Sequence, residues 1–173
     1  MLNFVVHLEQ SLELMKSIVL IRCPLMMRKK YLGLFRSKNR RLGKMFLTNV
    51  ESAFIENATF IHSSSFSKAQ KTAELLCKTY SIDNEQMLDI NPNIQDLDTE
   101  ECIQLVKQTP KSIETLVLIA PGVTVCRLYS LLTGQSKIFS NGSAELVELP
   151  ITDWSLLDTE SAHKEPIDVY SRS

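Results

Sequence analysis

The sequence lacks the short motifs by which several large groups of proteins are recognised. It has no GxGxxG loop and no GxxxxGK[ST] loop, so neither of the common nucleotide-binding loops is present. Its cysteines form no CxxC pair and no histidine cluster accompanies them; they are Cys23, Cys77, Cys102 and Cys126. A zinc site is therefore not expected. We predict neither a metal nor a cofactor.

Long apolar runs are missing as well. No stretch approaches the roughly 18 apolar residues that a membrane-spanning helix needs. The first fifteen residues carry Glu9 and Glu13 and have no long apolar core, so they do not resemble a secretory signal. We expect a cytoplasmic protein with reduced thiols and no membrane partner.

The charge is nearly balanced overall but unevenly distributed. A net charge of −1 argues against a general nucleic-acid binder. From Lys16 to Val50, however, there are ten Lys or Arg and no Asp or Glu, and seven acids lie between Glu145 and the end. The basic stretch RKKYLGLFRSKNRRLGK, residues 28–44, either faces solvent, pairs with the acidic tail, or binds an external anion such as an acidic protein segment, polyphosphate or RNA.

Apolar, β-branched runs alternate with amphipathic segments along the chain. The runs predict strands at 17–21 and within 58–65, 114–122 and 143–150, with a further short strand at 87–90. Helical spacing predicts helices at 42–55, 66–80, 99–108 and 123–134, the third capped by Asp98 and the fourth ended by Gly134. This order predicts a three-layer α/β/α sandwich with a mostly parallel central sheet.

The same pattern suggests one domain with two extensions. Residues 16–151 form the predicted α/β domain. Residues 1–15 are an N-terminal extension with helical spacing, and residues 152–173 are a polar C-terminal tail that we expect to be loosely attached. Trp154 is the candidate anchor of that tail.

In a sheet of this kind, ligands bind beyond the carboxyl ends of the parallel strands. The first strand ends at Arg22-Cys23, the second in serines that include Ser64, and a later one at Ala120, just before a helix. Lys68 lies in the helix that follows the serines. Hydroxyls, cationic side chains and helix N-termini together predict a phosphate cradle, although serines at strand ends are also common caps and turns.

The order of these segments resembles the histidine phosphatase (phosphoglycerate mutase-like) superfamily, and most closely its short SixA-like phosphohistidine phosphatase branch. "VLIRC" stands where that family has a strand ending in Arg-His. "SSSFSKAQKTAE" keeps the spacing of the family's Ser, Arg-Ala and Thr-Ala positions, and "LVLIAPGVTVCRLYSLLTG" keeps the frame of a strand ending in Gly-His or Ser-His. "IFSNGSAELVEL" is similar to the closing strand of the short branch. The resemblance covers residues 16–150.

The resemblance implies a mechanism whose key residues are mostly absent here. In the family, the first His takes the phosphoryl group, and two arginines with a second His hold the phosphate oxygens. Cys23 occupies the nucleophile position, Lys68 the second arginine, and Ala120 (Ile119 in a shifted alignment) the second histidine. Arg22 alone is unchanged. What the resemblance leaves is a phosphate-binding set of Arg22, Ser64 and Lys68.

We therefore predict a SixA-like protein that has lost phosphatase activity and binds phosphate, another anion, or a phosphorylated or acidic protein. One alternative is an active phosphohistidine or phosphomonoester phosphatase that uses Cys23, since a thiolate can carry a phosphoryl group. Cysteine phosphatases, however, place an arginine six residues after the cysteine, and position 29 is a lysine. The other alternative is a structural subunit of an oligomer of unknown size.

Two further features stay open in the sequence. His62 directly precedes the serines, and strand alternation does not decide whether it points into the crevice or packs in the sheet. Asp89, Asp96 and Asp98 lie in the region that would supply a general acid, without a pattern that selects one of them.

Overall fold

A six-stranded sheet forms the centre of the protein. The computed structural model describes residues 16–23, residues 59–158 and the backbone of residues 169–170. The strands are β1 (Lys16–Arg22), β2 (Thr59–Ser64), β3 (Leu88–Asn91), β4 (Thr115–Ala120), β5 (Ala144–Leu149) and β6 (Val169–Tyr170), in the order β3-β2-β4-β1-β5-β6. The first four are mutually parallel, whereas β5 runs antiparallel to β1 and β6 antiparallel to β5.

Three helices in the described part of the chain begin and end close to the predicted positions, and a fourth, of one turn, is not among the predictions. They are α1 (Ser67–Tyr80), the single-turn α2 (Asn84–Met87), α3 (Thr99–Lys107) and α4 (Gly122–Thr133), with 3-10 turns at Pro92–Gln95 and Trp154–Leu156. Asp98 and Glu101 cap α3 reciprocally, each side chain accepting from the other's backbone N–H. Gly134 ends α4 with φ 67°, a conformation that a side chain disfavours.

Helices cover both faces of the sheet. On one face, β1, β4 and β5 pack against α3 and α4, through buried residues that include Leu20, Leu118, Ile103 and Leu128. On the other, the alternate strand residues pack against α1. All six residues of β4 are buried, as expected of a central strand covered on both sides. The three-layer sandwich with a mostly parallel sheet is confirmed.

The final predicted strand is more buried than its alternation of apolar and polar residues indicates. The alternating pattern of β5 predicts one exposed face, yet Glu145, Leu146, Val147 and Leu149 are all buried. The reason is its position: β5 returns beside the central strand β1, and β6 pairs with its outer side. An acid on this strand is therefore buried, which the sequence pattern does not reveal.

The first part of the C-terminal tail packs on the domain. Trp154 is fully buried, and its Nε1–H donates to the carbonyl oxygen of Ile113 at 2.8 Å. Leu157 is buried in the same cluster. The predicted anchor is confirmed, and residues 152–158 are held more firmly than expected.

Three predictions lie outside the described residues: the N-terminal extension 1–15, the basic stretch 28–44 and the helix 42–55. The domain boundaries stay a prediction. Within the described residues, none of the helices has the length and apolarity to cross a bilayer.

Candidate functional site

The predicted site residues lie at one edge of the sheet, which we call the carboxyl edge: the edge at which β1 to β4 end. Arg22 is in register with Ala120, and Ser63 with Ile119, so Ser64 stands level with Ala120 on the other side. Because neighbouring strands are about 4.8 Å apart, the Cα atoms of Arg22 and Ser64 are about 10 Å apart.

Arg22 lies across the start of α4. Its Nη1 donates to the carbonyl oxygen of Phe139, and its Nε lies so close to Gly122 that a Cβ there would stand 2.7 Å away. Only glycine allows this approach. The Arg22 Nε is buried and has no hydrogen-bond partner among the described residues.

The connection before β5 holds Arg22 from two sides. The backbone N–H of Arg22 donates to the oxygen of Ser143, and its carbonyl accepts from Gly142. Lys137 of the same connection pairs with the buried Glu145, with 2.6 Å between Nζ and Oε1. The sequence analysis did not predict this ion pair. The only signal in the sequence is that Lys137 and Glu145 carry opposite charges and lie eight positions apart.

Ser64 is the second unsatisfied group. Strand alternation puts it on the face of the sheet toward α3 and α4, since Phe60 packs on that face and Ile61 on the opposite one. Ser64 is fully buried, and its Oγ has no hydrogen-bond partner within the described part of the chain. A buried hydroxyl without a partner costs about 1–3 kcal/mol.

Cys23 and Lys68 come together on the opposite face of the sheet. Cys23 is buried in the cluster that contains Ala69 and Ala73 of α1, and Lys68 is the second residue of that helix. Burial raises the pKa of the Cys23 thiol, and the charge of Lys68 offsets only part of the rise. The thiol is therefore protonated at neutral pH. Since a thiolate is the nucleophilic form, this environment disfavours attack by Cys23.

The position predicted for the second histidine is apolar and buried. Ala120 is fully buried, and Ile119, the shifted alternative, is buried on the α1 face. Pro121 follows as the N-cap of α4, without a side-chain cap bond. The first N–H groups of α4 are thus directed at the carboxyl edge, where an anion would be stabilised by them.

His62 packs into the sheet beside a carboxylate. It is in register with Asp89, and its Nδ1–H donates to Asp89 Oδ2 at 2.9 Å. Phe60 meets its ring edge-on, with 5.0 Å between the centroids. Burial lowers the pKa of His62, and Asp89 offsets only part of this shift. His62 is therefore neutral near pH 7, and the Asp89 carboxylate is already engaged.

Of the other two candidate acids, only Asp98 has a side-chain bond that the structure assigns. Asp98 caps α3, while Asp96 follows the 3-10 turn at Pro92–Gln95. No group of three or more potential metal ligands occurs among residues 16–23 and 59–158.

Comparison with solved structures identifies the fold. A scan against family models and a search of curated proteins give no match. Three solved structures are similar over nearly the whole chain. A SixA structure from Nakamurella multipartitia has 9% identity and a TM-score of 0.58, over 91% of this chain and 94% of that one. A protein histidine phosphatase SixA complexed with tungstate has 12% identity and a TM-score of 0.54, over 90% of this chain and 94% of that one, and a mycobacterial glucosyl-3-phosphoglycerate phosphatase has 12% identity and a TM-score of 0.55, over 92% of this chain and 100% of that one.

The chain has the histidine phosphatase fold. The expected resemblance to SixA-like proteins is thereby confirmed at the level of fold. With identities of 9–12%, the roles of individual residues rest on the geometry of this chain alone. On that geometry, this histidine phosphatase fold carries Arg22, Ser64 and the start of α4 on one face of the edge, and Cys23 with Lys68 on the other.

Proposed function

We propose that this protein is an anion-binding module built on a histidine phosphatase fold and that it does not turn phosphate esters over. The observation that carries the proposal is the pair of buried donors without acceptors, Arg22 Nε and Ser64 Oγ, on either side of Ala120. An oxyanion with several acceptor oxygens would satisfy both donors. The charge on Arg22 makes such a bond stronger than a neutral one.

Other features of the carboxyl edge favour the same ligand. The first turn of α4 presents backbone N–H groups and the positive end of the helix dipole. Lys68 lies beside Cys23 on the opposite face of the sheet, so it is not part of the proposed donor pair. One of the similar structures is a SixA complexed with tungstate, a tetrahedral oxyanion. This supports a tetrahedral anion, with phosphate as the biological form, as the ligand of this chain.

The absence of turnover follows from the groups that a phosphoryl transfer would need. Cys23 is a protonated thiol that packs against α1, whereas Arg22 faces α4. The methyl side chain of Ala120 can neither donate nor accept a proton. Removing a nucleophile alone costs on the order of 10⁶ in turnover. The alternative of a phosphatase acting through Cys23 would require a thiolate that burial disfavours.

The first test measures thermal unfolding with phosphate. At a phosphate concentration about a hundred times the Kd, binding adds about 2.7 kcal/mol to the free energy of unfolding. For a chain of this size, that raises the Tm by about 5–10 °C. Potassium chloride at equal ionic strength should leave the Tm unchanged. Arg22→Ala should abolish the phosphate-induced rise.

Arg127→Ala is the matched control. Like Arg22, Arg127 donates a hydrogen bond from Nη1 to a backbone oxygen, in this case that of Leu97. Replacing Arg127 by alanine therefore removes the same kind of bond. Arg127→Ala should be destabilised yet keep its response to phosphate. If wild-type protein shows no response to phosphate, sulfate or tungstate, the anion site is refuted and a purely structural subunit is favoured.

A second measurement tests turnover. Release of phosphate from a phosphohistidine peptide and from an aryl phosphate should stay at the rate of the uncatalysed reaction. Hydrolysis that Cys23→Ser abolishes would refute the non-catalytic proposal and establish Cys23 as a nucleophile.

A further inference from the structure

A largely buried ion pair lies beside the segment that holds Arg22. Lys137 belongs to the connection between α4 and β5, residues 134–143, and its Nζ is 2.6 Å from Oε1 of Glu145 on β5. The side chain of Glu145 is 6% exposed and that of Lys137 is 31% exposed. The second carboxylate oxygen of Glu145, Oε2, is buried and has no hydrogen-bond partner among the described residues. So costly an arrangement needs an explanation.

Stability alone does not account for the pair. Taking two charges out of water carries a desolvation cost that can exceed their mutual attraction, and apolar side chains of similar volume often stabilise a protein equally well or better. The unpartnered Oε2 adds to that cost. A buried ion pair does fix the position of the segments that carry its two charges, because it forms in one geometry. Since β5 is already held by its pairing with β1, the segment that the pair positions is the connection.

The first half of this connection has few other contacts to hold it. Residues 135–139 make no backbone–backbone hydrogen bond to another described residue. Phe139 is buried and Lys137 is half-buried, whereas Ile138 between them is 90% exposed. The path of the backbone at Phe139 therefore depends on the side-chain contacts of residues 137 and 139.

Lys137 and Phe139 both contact Tyr129 of α4. The Nζ atom of Lys137 lies 5.8 Å from the centroid of the Tyr129 ring, within the range of a cation–π contact. The Phe139 ring meets the Tyr129 ring edge-on, with 5.4 Å between the centroids. The carbonyl oxygen of Phe139 in turn accepts from Nη1 of Arg22. A continuous series of contacts therefore joins the ion pair to Arg22.

We propose that Lys137 and Glu145 are positioning residues of the anion site. Their ion pair and the contacts with Tyr129 hold the backbone of the connection in place. Phe139 then presents its carbonyl oxygen to one end of the Arg22 guanidinium group, which leaves Nε directed at the anion. Neither Lys137 nor Glu145 touches the anion. This inference rests on the proposed anion site and adds the two residues that orient its charged donor.

Calorimetric titration of the full chain with phosphate tests the role of Lys137. Lys137→Met should weaken phosphate binding about tenfold, comparable to the loss when a residue that orients a metal ligand is removed. Lys111→Met is the matched control. Lys111 pairs with Asp153, with 3.5 Å between Nζ and Oδ2, but its side chain is 73% exposed and it precedes β4, far from the carboxyl edge. This variant loses the same charge and should bind phosphate as the wild-type protein does.

Glu145 distinguishes positioning from electrostatic attraction. Alternation along β5 puts Glu145 on the same face as Val147, the face toward α3 and α4 on which Arg22 lies. Removing a negative charge from that face would by Coulomb's law alone favour an anion. Glu145→Leu should instead weaken phosphate binding about tenfold, because Lys137 loses its partner. Glu145→Gln keeps an acceptor for Lys137 and should bind phosphate more tightly than Glu145→Leu.

Hydrogen exchange separates positioning from a general loss of stability. The Nε–H of Arg22 is buried, so its exchange with water should be slow enough to follow by nuclear magnetic resonance. The double variant Lys137→Met with Glu145→Leu leaves no unpaired charge, so it should fold even where a single variant does not. Its Arg22 Nε–H should exchange about tenfold faster relative to the backbone amides of β4 than in wild-type protein. Equal changes at Arg22 and in β4 would show that the pair serves stability only.

The outcomes separate this inference from the anion site itself. If wild-type protein and the variants of the pair bind phosphate equally well, the positioning role is refuted and the anion site stands. If Glu145→Leu binds phosphate more tightly, the pair acts through its charge and the inference is overturned. If wild-type protein does not bind phosphate, the proposed function fails and this inference fails with it.

Discussion

Gly122→Ala tests the most specific contact at the carboxyl edge. The added methyl group would lie 2.7 Å from Arg22 Nε, closer than packed atoms come, and 3.0 Å from its Cζ, which is unusually tight. Both atoms belong to the guanidinium group, so that group must move. The displacement breaks the bond from Arg22 to the Phe139 oxygen and removes Nε from the proposed anion site.

The expected magnitude combines two opposing effects. Alanine in place of glycine favours a helix by about 0.5–1 kcal/mol. Loss of a hydrogen bond from a charged donor costs about 1.5–3 kcal/mol. The variant should therefore be less stable by about 0.5–2.5 kcal/mol, or about 1–10 °C in Tm. Its response to phosphate should be lost.

A double-mutant cycle isolates the contact. Urea unfolding is measured for the wild type, Gly122→Ala, Arg22→Ala and the double variant. In the Arg22→Ala background the new methyl group meets no guanidinium, so Gly122→Ala should be neutral or stabilising. We expect a coupling free energy of about 1.5–3 kcal/mol. Additivity within about 0.5 kcal/mol would show that Arg22 does not lie against Gly122.

Two further predictions concern the core and the buried histidine. Trp154→Ala should lower the free energy of unfolding by about 3–5 kcal/mol, measured by urea titration, because it leaves a cavity and unpairs the Ile113 oxygen; a loss below 1 kcal/mol would mean that the tail is not anchored there. For His62, burial on folding lowers the pKa from its usual 6.5, so the unfolded chain binds the proton more readily. Stability should fall as the pH drops below about 6.5, and His62→Asn should flatten this dependence relative to wild type; equal slopes in the two proteins would contradict the assignment.

The elements were predictable because their signals are local. The uninterrupted apolar run of β4, the cap at Asp98 and the glycine at 134 each act through residues within one turn or one strand. Such signals fix where a strand or helix begins and ends. They also indicated that both faces of the parallel strands are covered, because alternation is missing there.

The candidate site was predictable in part. Strand ends in a parallel sheet meet at one edge, so Arg22, Ser64 and Ala120 were expected there, and the register of β1, β4 and β2 brings them level. The division of Arg22 and Cys23 between opposite faces of the sheet follows from alternation. Which helix covers each face depends on packing, and that decides whether Lys68 meets Arg22 or the thiol.

The sequence alone determined the order and the approximate ends of β1 to β5 and of α1, α3 and α4. The tertiary structure decided what each polar group meets: the Phe139 oxygen lies 117 residues from Arg22 along the chain, and Asp89 lies 27 from His62. Local patterns do not encode such pairs, because they form only when packed layers bring distant segments together. The pKa values and the unsatisfied donors arise from the same packing, since burial removes the water that would otherwise solvate those groups.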